Sequence, residues 1–343
     1  MSKAITLWIP DFLNKQRIQE ADQAWSELKL PALKTLLKKA DLFPTQSVLT
    51  NKTKDFYATA SNLFHQPQAL PVAASMAASF LDDFDANEFW IKIDPIQMIP
   101  DRDTLVLIPA ADLNIQEEEA KALITAFNQH FEQDKVAIEY GSPTDWFLRI
   151  KQVVDIHTTP LDQVKYGHLD DRYPTGHAAQ YWRQLLNEAS MLFFSHEVNE
   201  ERRNKGLPEI NGVWLWGEGQ LDQSNILQRQ SATIWSDNAY LKGLAKLTGS
   251  QNSTFPETYQ ACLDSNSEQH LLMPTILHQN LANLTLEQWL ESVKWLEEEW
   301  LQPLLKGLKN KEVHSLLLEL GDGYRYHIEP KHLKRFWRFK NRI

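Results

Sequence analysis

Residues 231–249, SATIWSDNAYLKGLAKLTG, open with a short β-branched and aromatic run and continue in a helical pattern that ends at a glycine. They predict a strand followed directly by a helix. The alternation extends outward to strands at 4–9 (AITLWI) and 270–277 (HLLMPTIL), a helix at 285–308, and a strand, turn and strand at 313–328. Strands that alternate with helices favour an α/β fold, and we predict a layered mixed sheet with helices on both faces.

A second, smaller pattern lies at residues 88–150. Two apolar runs, FWIKI and TLVLI, are separated by the turn-rich DPIQMIPDRD, and apolar residues then recur every three or four positions over 116–131. Two further runs, VAIEY and DWFLRI, flank a Gly-Ser-Pro turn. We predict a smaller α+β module with the order strand, strand, helix, strand, strand. Including the long helix that follows, we assign 88–211 to this inserted module and 1–87 with 212–343 to the main α/β domain.

The composition is that of an ordinary globular protein. The chain has 343 residues and a single cysteine, Cys262, which excludes an intramolecular disulfide and fits a reducing compartment. The first residues, MSKAITLWIPDF, lack the long apolar stretch and the cleavage site of a signal peptide. No apolar run approaches the ~20 residues of a membrane span. We expect a cytoplasmic protein without a membrane span.

Charge is unevenly distributed along the chain. The net charge is −10, which argues against general binding to nucleic acid, but residues 331–343 (KHLKRFWRFKNRI, the basic tail) hold six cations and no acid. Without those six, the rest of the chain carries 29 Lys and Arg against 45 Asp and Glu. We expect this tail to dock on the acidic body, with its aromatic residues anchored by burial. Single-stranded nucleic acid, a protein partner and a membrane surface are the alternatives, and nucleic acid is not expected.

The most specific stretch is 185–219, LLNEASMLFFSHEVNEERRNKGLPEINGVWLWGEG. Together with FWIKIDP at 89–95, PDRD at 100–103 and PTDWFLRI at 143–150, it resembles the RpfE-type regulatory family over most of the chain. The 185–219 segment alone is similar to archaeal-type cofactor-independent phosphoglycerate mutases, members of the alkaline phosphatase superfamily. The second resemblance implies a fold that is alkaline-phosphatase-like in part.

The mutase resemblance also implies a site for a phosphorylated ligand. Paired arginines and a glycine turn suit phosphate oxygens, although Trp216 stands where those enzymes commonly place an arginine. We expect both arginines to lie on the surface, so that replacing both leaves the fold intact. The ligand-binding residues that the resemblance implies are His196, Asn199, Arg202, Arg203, Asn211 and Glu218.

The chemistry of that superfamily requires a nucleophile and two metal ions held by Asp and His. This chain has no Asp-His pair and no His-x-x-x-His, and Glu319 and Asp322 beside the GDG turn are typical of turn chemistry. We expect no metal and no cofactor, and we assign no catalytic residue.

Three functions remain open. The first is a phosphoglycerate-mutase-like protein without a two-metal centre, which binds a phosphorylated small molecule or a protein partner in a non-catalytic, regulatory role. The second is an active metal-dependent mutase or phosphotransferase with a rebuilt site. The third is a protein-interaction module that uses its basic aromatic tail.

Overall fold

The computed structural model describes residues 2–10, 12–45, 56–66, 69–221, 232–274 and 284–337. In chain order the strands are β1 (Lys3–Trp8), β2 (Asp41–Pro44), β3 (Phe89–Asp101), β4 (Thr104–Pro109), β5 (Ala137–Tyr140), β6 (Trp146–Ile150), β7 (Gly212–Gln220), β8 (Ala232–Trp235), β9 (Gln251–Ser253), β10 (Gln269–Leu272), β11 (Val313–Glu319) and β12 (Tyr324–Ile328).

The α-helices are α1 (Lys15–Glu27), α2 (Pro31–Lys39), α3 (Phe56–Leu63), α4 (Val72–Phe80), α5 (Glu117–His130), α6 (Ala179–Phe194), α7 (Glu197–Asn204), α8 (Ala239–Thr248), α9 (Gln260–Asp264), α10 (Leu286–Leu296) and α11 (Gln302–Lys309). A π-helical turn, Glu297–Leu301, joins α10 to α11. Short 3₁₀ turns span Ala110–Asp112, Glu132–Asp134, Leu161–Gln163, Asp170–Arg172 and Pro330–Lys334. None of the helices in the described part of the chain has the length and apolar character that a bilayer crossing requires.

Contacts divide the chain into two units, one from 1–64 with 228–343 and one from 65–227. In the first unit, seven strands among the described residues form a sheet in the order β2-β12-β11-β1-β10-β8-β9. β1 lies between β11 and β10, where Leu7 pairs with Leu318 and with Leu272 in parallel register. β8 and β9 continue the parallel pairing, whereas β12 and β2 are antiparallel. This architecture confirms the predicted mixed α/β class.

One core of the first unit lies between its sheet and the helices α2, α10 and α11, whose buried apolar residues cluster with those of β1 and β11. The single helix predicted for 285–308 is interrupted by the π-helical turn. There the buried Glu297 carboxylate accepts hydrogen bonds from the Ala32 amide (2.7 Å) and the Leu33 amide (2.8 Å). It caps the positive N-terminal end of α2, a favourable position for an anion.

A buried histidine on β10 gives the first unit a pH-dependent stability. His270 Nδ1 accepts a hydrogen bond from Trp235 Nε1 (3.0 Å), and its Nε2 lies 3.0 Å from the Ser267 carbonyl, so the neutral ring satisfies both contacts. Burial lowers the pKa of His270 below its ordinary value of 6.5. The unfolded chain therefore binds this proton more tightly than the folded chain, and stability falls as pH drops below about 6.5.

We expect His270→Gln to weaken that pH dependence, because glutamine keeps a polar group but does not titrate. The check is the free energy of unfolding in urea at about pH 7.5 and about pH 5, where the wild type should lose more stability than the variant. The control is His177→Gln, at a side chain that is 96% exposed. Equal losses in the wild type and His270→Gln would contradict the assignment.

The second unit is built on a sheet whose described strands run β4-β3-β6-β5, with β7 added against β3, and every pairing is antiparallel. The order strand, strand, helix, strand, strand over 88–150 is confirmed by β3, β4, α5, β5 and β6. One face of this sheet packs against α5 and α6 through a shared apolar cluster. The domain limits inferred from the sequence, 88–211 for the inserted module and 1–87 with 212–343 for the main domain, stay a prediction.

Candidate functional site

The carboxyl ends of the parallel strands in the first unit meet at one edge of the sheet. Open α/β sheets bind their ligands in the crevice outside this edge. Trp8 and Glu319 are register partners there, at the ends of β1 and β11. Ser236 follows β8 directly and is buried, and its amide donates to the Ser253 carbonyl (2.9 Å). We call this region the carboxyl edge.

Four aromatic residues are in contact at the carboxyl edge, and we call them the aromatic cover. Trp8 stacks on Phe56 with ring centroids 4.9 Å apart, and Phe56 meets Tyr57 edge to face. Tyr57 in turn meets Tyr240 at 4.9 Å, and the Tyr240 hydroxyl lies 3.0 Å from Ser61 Oγ. The cover is therefore formed by the end of β1 and the first turns of α3 and α8, with Trp8 and Tyr240 buried and Phe56 and Tyr57 partly buried.

The acidic side chains of the carboxyl edge are held by neighbouring groups. Glu319 accepts a hydrogen bond from Arg325 Nε (2.7 Å), and Arg325 Nη1 donates to Asn62 Oδ1 (2.6 Å). Asp322 accepts from the Tyr324 amide (3.1 Å) and from the Tyr326 hydroxyl. Glu319 therefore forms an ion pair, and Asp322 stabilises the hairpin turn, as the sequence predicted.

A two-metal centre of the superfamily type does not fit the donors that the structure describes here. Such a centre requires several Asp and His ligands around adjacent ions. Among the described residues, no group of three or more His, Cys, Asp or Glu side chains is placed to hold a metal ion. Asp11, which follows β1, lies outside the described residues.

Two of the six residues predicted to bind a ligand are buried in the second unit. Asn199 donates to the carbonyls of Phe193 and Ile210 (2.8 Å each) and accepts from the Ile210 amide. Arg202 is fully buried, with Nη1 2.6 Å from Glu119 Oε2 and Nε 2.6 Å from the Pro208 carbonyl. The expected surface position is wrong for Arg202, because α7 turns this side chain inward, where it also bonds the Leu113 carbonyl.

The other four predicted residues lie at separate places in the same unit. His196 Nδ1 caps α7 by accepting from the Val198 amide, and Asn211 bonds both the amide (2.6 Å) and the carbonyl (2.9 Å) of Met98. Glu218 accepts a hydrogen bond from the Thr158 amide near the far end of β7. It lies six positions along the strand from Gly212, the neighbour of Asn211, which places it roughly 20 Å from that residue. Arg203 pairs with Glu209 at 3.3 Å and remains 42% exposed in its side chain. Their role in ligand binding stays a prediction.

Sequence reasoning missed an ionic cluster around a buried lysine of β3, formed with the residue before β6 and with β7, which we call the lysine cluster. Lys92 is 2% exposed and contacts Asp94 Oδ1 and Asp145 Oδ1, the latter at 2.9 Å. Trp216 Nε1 donates to Asp94 Oδ2 (2.7 Å), and Ser142 Oγ donates to Asp145 (2.6 Å). The available signal was FWIKIDP, since residues two apart in a strand share a face and Lys92 and Asp94 interrupt an apolar run.

The ionisation of the lysine cluster follows from burial and mutual attraction. Burial raises the pKa of Asp94, and the Lys92 ammonium only partly offsets it. Burial acts in the same direction on Asp145, but Lys92 and Ser142 together hold the pKa of Asp145 below its ordinary value. Burial disfavours the charged lysine, yet the two carboxylates raise the pKa of Lys92. The three groups thus depend on one another for their charge.

Comparison with curated proteins finds similarity to phosphoglycerate mutases over stretches much longer than the 185–219 segment. The chain is 24% identical over 141 residues to the 2,3-bisphosphoglycerate-independent phosphoglycerate mutase of Methanosarcina acetivorans, and the match covers 40% of this chain and 36% of that protein. It is 22% identical over 199 residues to the enzyme of the same name from Methanothrix thermoacetophila, and this match covers 53% of the chain and 48% of that enzyme. The chain is distantly similar to archaeal phosphoglycerate mutases. It spans less than half the length of these two relatives, and no protein-family model matches it.

A solved structure shares the fold over nearly the whole chain. The PH0037 protein from Pyrococcus horikoshii superposes with a TM-score of 0.62 at 14% identity, covering 96% of this chain and 88% of that one. The cofactor-independent phosphoglycerate mutase from Thermoplasma acidophilum gives a TM-score of 0.46 at 12% identity, over 96% of this chain and 90% of that one. This TM-score is too low to establish a shared fold. The first superposition supports the α/β architecture and leaves function open.

Proposed function

We propose that this chain is a phosphoglycerate-mutase-like protein that binds a phosphorylated metabolite in a regulatory role and does not catalyse the mutase reaction. The similarity to archaeal mutases supports the ligand class. The regulatory part of the proposal rests on the resemblance to the RpfE-type family and on the state of the carboxyl edge. Such a protein acts in the cytoplasm, the compartment that the sequence predicts.

The observation that carries the proposal is the engagement of the acidic residues at the carboxyl edge. Glu319 forms an ion pair with Arg325, and Asp322 is bonded to Tyr326 within its own hairpin. An acidic residue that binds a divalent cation must first lose such partners, and the Arg325 cation repels a metal at the same place. The aromatic cover packs four aromatic rings at the same edge, and packed rings suit neither a hydrated metal ion nor a developing phosphoryl charge.

Within this proposal the phosphate contact belongs to Arg203. Arg202 is buried and already donates hydrogen bonds to Glu119 and to two backbone carbonyls. The Arg203 guanidinium lies over the Phe194 ring at 5.6 Å and keeps part of its surface in solvent. A guanidinium in this position is able to exchange its surface pair with Glu209 for a doubly charged phosphate, because exposed ion pairs contribute little.

The non-catalytic part of the proposal is tested first, by metal analysis and by an assay for phosphoglycerate mutase activity. We expect protein purified without chelator to contain less than stoichiometric manganese or zinc and to show no phosphoglycerate mutase turnover with either metal added. An authentic archaeal mutase, assayed in parallel, is the positive control. Two bound metal ions per chain together with turnover would favour the active, metal-dependent alternative and end the non-catalytic proposal.

Ligand binding is tested separately by thermal unfolding with phosphorylated three-carbon acids and nucleotides. A ligand at 100 times its dissociation constant stabilises the folded state by about 2.7 kcal/mol. We expect such a shift with a phosphorylated three-carbon acid and its loss in Arg203→Ala. Arg149→Ala, a change at another partly exposed arginine of the same unit, is the matched control and should keep the shift. No shift with any phosphorylated compound would contradict the proposed ligand class.

A further inference from the structure

A cavity of about 690 Å³ opens in the second unit beside the first half of α6. Its polar lining consists of Thr175, His177, Gln180, Arg183, Gln184 and Asn187, and the remaining lining residues are a glycine and an alanine. None of the described residues that line the cavity is acidic. The volume suits a small molecule, since ligand pockets usually measure about 300–1,000 Å³.

The cation of this cavity is held in place by the backbone. Arg183 Nε donates a hydrogen bond to the Pro174 carbonyl (2.9 Å), which fixes the plane of the guanidinium group. In the described part of the chain, the terminal nitrogens Nη1 and Nη2 have no hydrogen-bond acceptor and no ion-pair partner. A planar guanidinium with both terminal nitrogens available binds two oxygens of one phosphate or carboxylate group.

Other arginines are engaged by the protein's own carboxylates. Among the described residues, this holds for Arg149, Arg202, Arg203, Arg325 and Arg335. An anionic ligand at any of these five must first displace a carboxylate of the protein. The cavity beside α6 offers a guanidinium without that competition.

The basic tail illustrates such pairing. Arg335 forms a two-point ion pair with Asp41, Nη1 to Oδ1 at 2.7 Å and Nη2 to Oδ2 at 3.0 Å, and the tail is docked as far as Arg335, as the sequence predicted. The predicted anchoring by buried aromatic rings is wrong for Phe336 and Trp337, which are 76% and 59% exposed, because the ion pair holds the tail in their place. Phe339 lies outside the described residues.

His177 is oriented at the cavity by a carboxylate that does not line it. Its Nδ1 lies 2.7 Å from Asp155 Oδ2, and hydrogen bonds from His177 hold the pKa of Asp155 below its ordinary value. An ionised carboxylate only accepts hydrogen bonds, so Nδ1 carries a proton and Nε2 is the free end of the ring. Nε2 accepts from a ligand hydroxyl when the ring is neutral and donates to an anion when it is protonated.

Three carboxamide side chains complete the polar lining. Gln184 Nε2 donates to Glu188 Oε1 (3.0 Å), which leaves its oxygen as an acceptor, and Gln180 and Asn187 are exposed. A carboxamide offers both donors and an acceptor, as a hydroxyl does, so carboxamides and hydroxyls are matched partners. Ligand pockets are usually lined mostly by apolar side chains. A lining that is polar throughout selects a ligand that is polar throughout.

We propose that this cavity binds a polyhydroxylated anion, either a sugar phosphate or a sugar acid. Arg183 binds the anionic group, and the carboxamides of Gln180, Gln184 and Asn187 bind the hydroxyls. This is a second site, beyond the phosphate contact proposed for Arg203. Arg203 lies over Phe194, at the other end of α6 and roughly 16 Å along the helix axis from Arg183.

The test is isothermal titration calorimetry of the full chain with glucose 6-phosphate, ribose 5-phosphate and glucuronate, and with glucose as the neutral comparison. We expect at least one of the three anionic sugars to bind, and glucose to bind at least about tenfold more weakly than that sugar, because it lacks the charge-assisted hydrogen bonds. Arg183→Met should weaken binding of the anionic sugar by a similar factor. Gln180→Ala with Asn187→Ala should weaken binding of the sugar and leave that of inorganic phosphate unchanged.

Arg172→Met is the matched control, because Arg172 is another exposed arginine of the same unit and does not line the cavity. It should bind like the wild type, and so should Arg203→Ala, which separates this site from the phosphate contact of the proposed function. The replaced side chains of the cavity are exposed, and unchanged melting temperatures would show that each variant is folded.

Three results would overturn the proposal. The first is that none of the three anionic sugars binds to the wild type. The second is that Arg183→Met binds them as tightly as the wild type does; loss of binding in Arg203→Ala alone would then assign the sugar to the other site. The third is that inorganic phosphate binds as tightly as the sugar phosphates, which would reduce the cavity to a site for an adventitious ion only.

Discussion

Replacing Lys92 with methionine is expected to lower the free energy of unfolding by about 3–5 kcal/mol, the range for breaking a buried ion pair by removing one partner. Methionine keeps most of the length of the lysine side chain but leaves Asp94 and Asp145 without their shared cation. The buried Asp94 carboxylate and the partly buried Asp145 carboxylate must then take up a proton or admit water, and both cost stability. Urea unfolding at neutral pH measures the loss.

The controls separate charge from packing. Lys121→Met removes an exposed lysine that pairs with Glu117 one helical turn away, and it should leave the free energy of unfolding nearly unchanged, because solvent screens exposed ion pairs. Adding Asp94→Asn and Asp145→Asn to Lys92→Met should recover much of the loss, since the triple variant contains no unpaired charge. If the single variant is as stable as the wild type, the lysine cluster does not hold the sheet together.

Arg202→Ala is expected to lower the free energy of unfolding by a similar amount, about 3–5 kcal/mol. The reason is that the hydrogen-bond partners of this one guanidinium are left without a donor. Glu119 loses its ion pair, the Leu113 carbonyl loses its donor in a buried place, and the partly buried bond to the Pro208 carbonyl is lost. These three contacts join α7 to α5, to the turn before α5 and to the loop after α7. The double replacement that the sequence predicted to be harmless should therefore unfold the second unit at lower temperature.

Arg203→Ala provides the comparison at the neighbouring position. Its ion pair with Glu209 is partly exposed, and such pairs contribute about 0–1 kcal/mol. Melting temperatures of the two single variants, measured side by side, give the contrast. Equal losses at both positions would mean that the burial of Arg202 does not decide its contribution.

Elements were predictable where local pattern and tertiary environment agree. The strands of FWIKI and TLVLI and the α5 helix appear where their periodicity places them. Residues 14–40 carry charged and apolar residues at helical spacing throughout, yet they form two helices, α1 and α2, because the chain is extended at Leu28 and Pro31 begins a second helix. The π-helical turn within 285–308 was not predictable, since it depends on Glu297 reaching α2.

The candidate site was harder to predict because its chemistry depends on partners far away in sequence. Arg202 and Arg203 look alike in the sequence, but Val198 lies four residues before Arg202 and is buried, so the two share the inner face of α7. That spacing was an available signal. The pairing of Lys92 with Asp145, and of Arg335 with Asp41, required the tertiary fold. Adjacent like residues can therefore differ completely in role.

The central place of β1 in its sheet affects how the chain assembles during synthesis. Its two neighbours, β10 and β11, end at Leu272 and Glu319, so β1 leaves the ribosome long before either. At about 5–20 residues per second, the delay before β11 is complete is on the order of 15–60 s. All strands of the other sheet lie within 89–220 and become available first. A nascent chain thus passes through a stage in which the apolar face of β1 is a target for chaperones, and slowing translation lengthens that exposure.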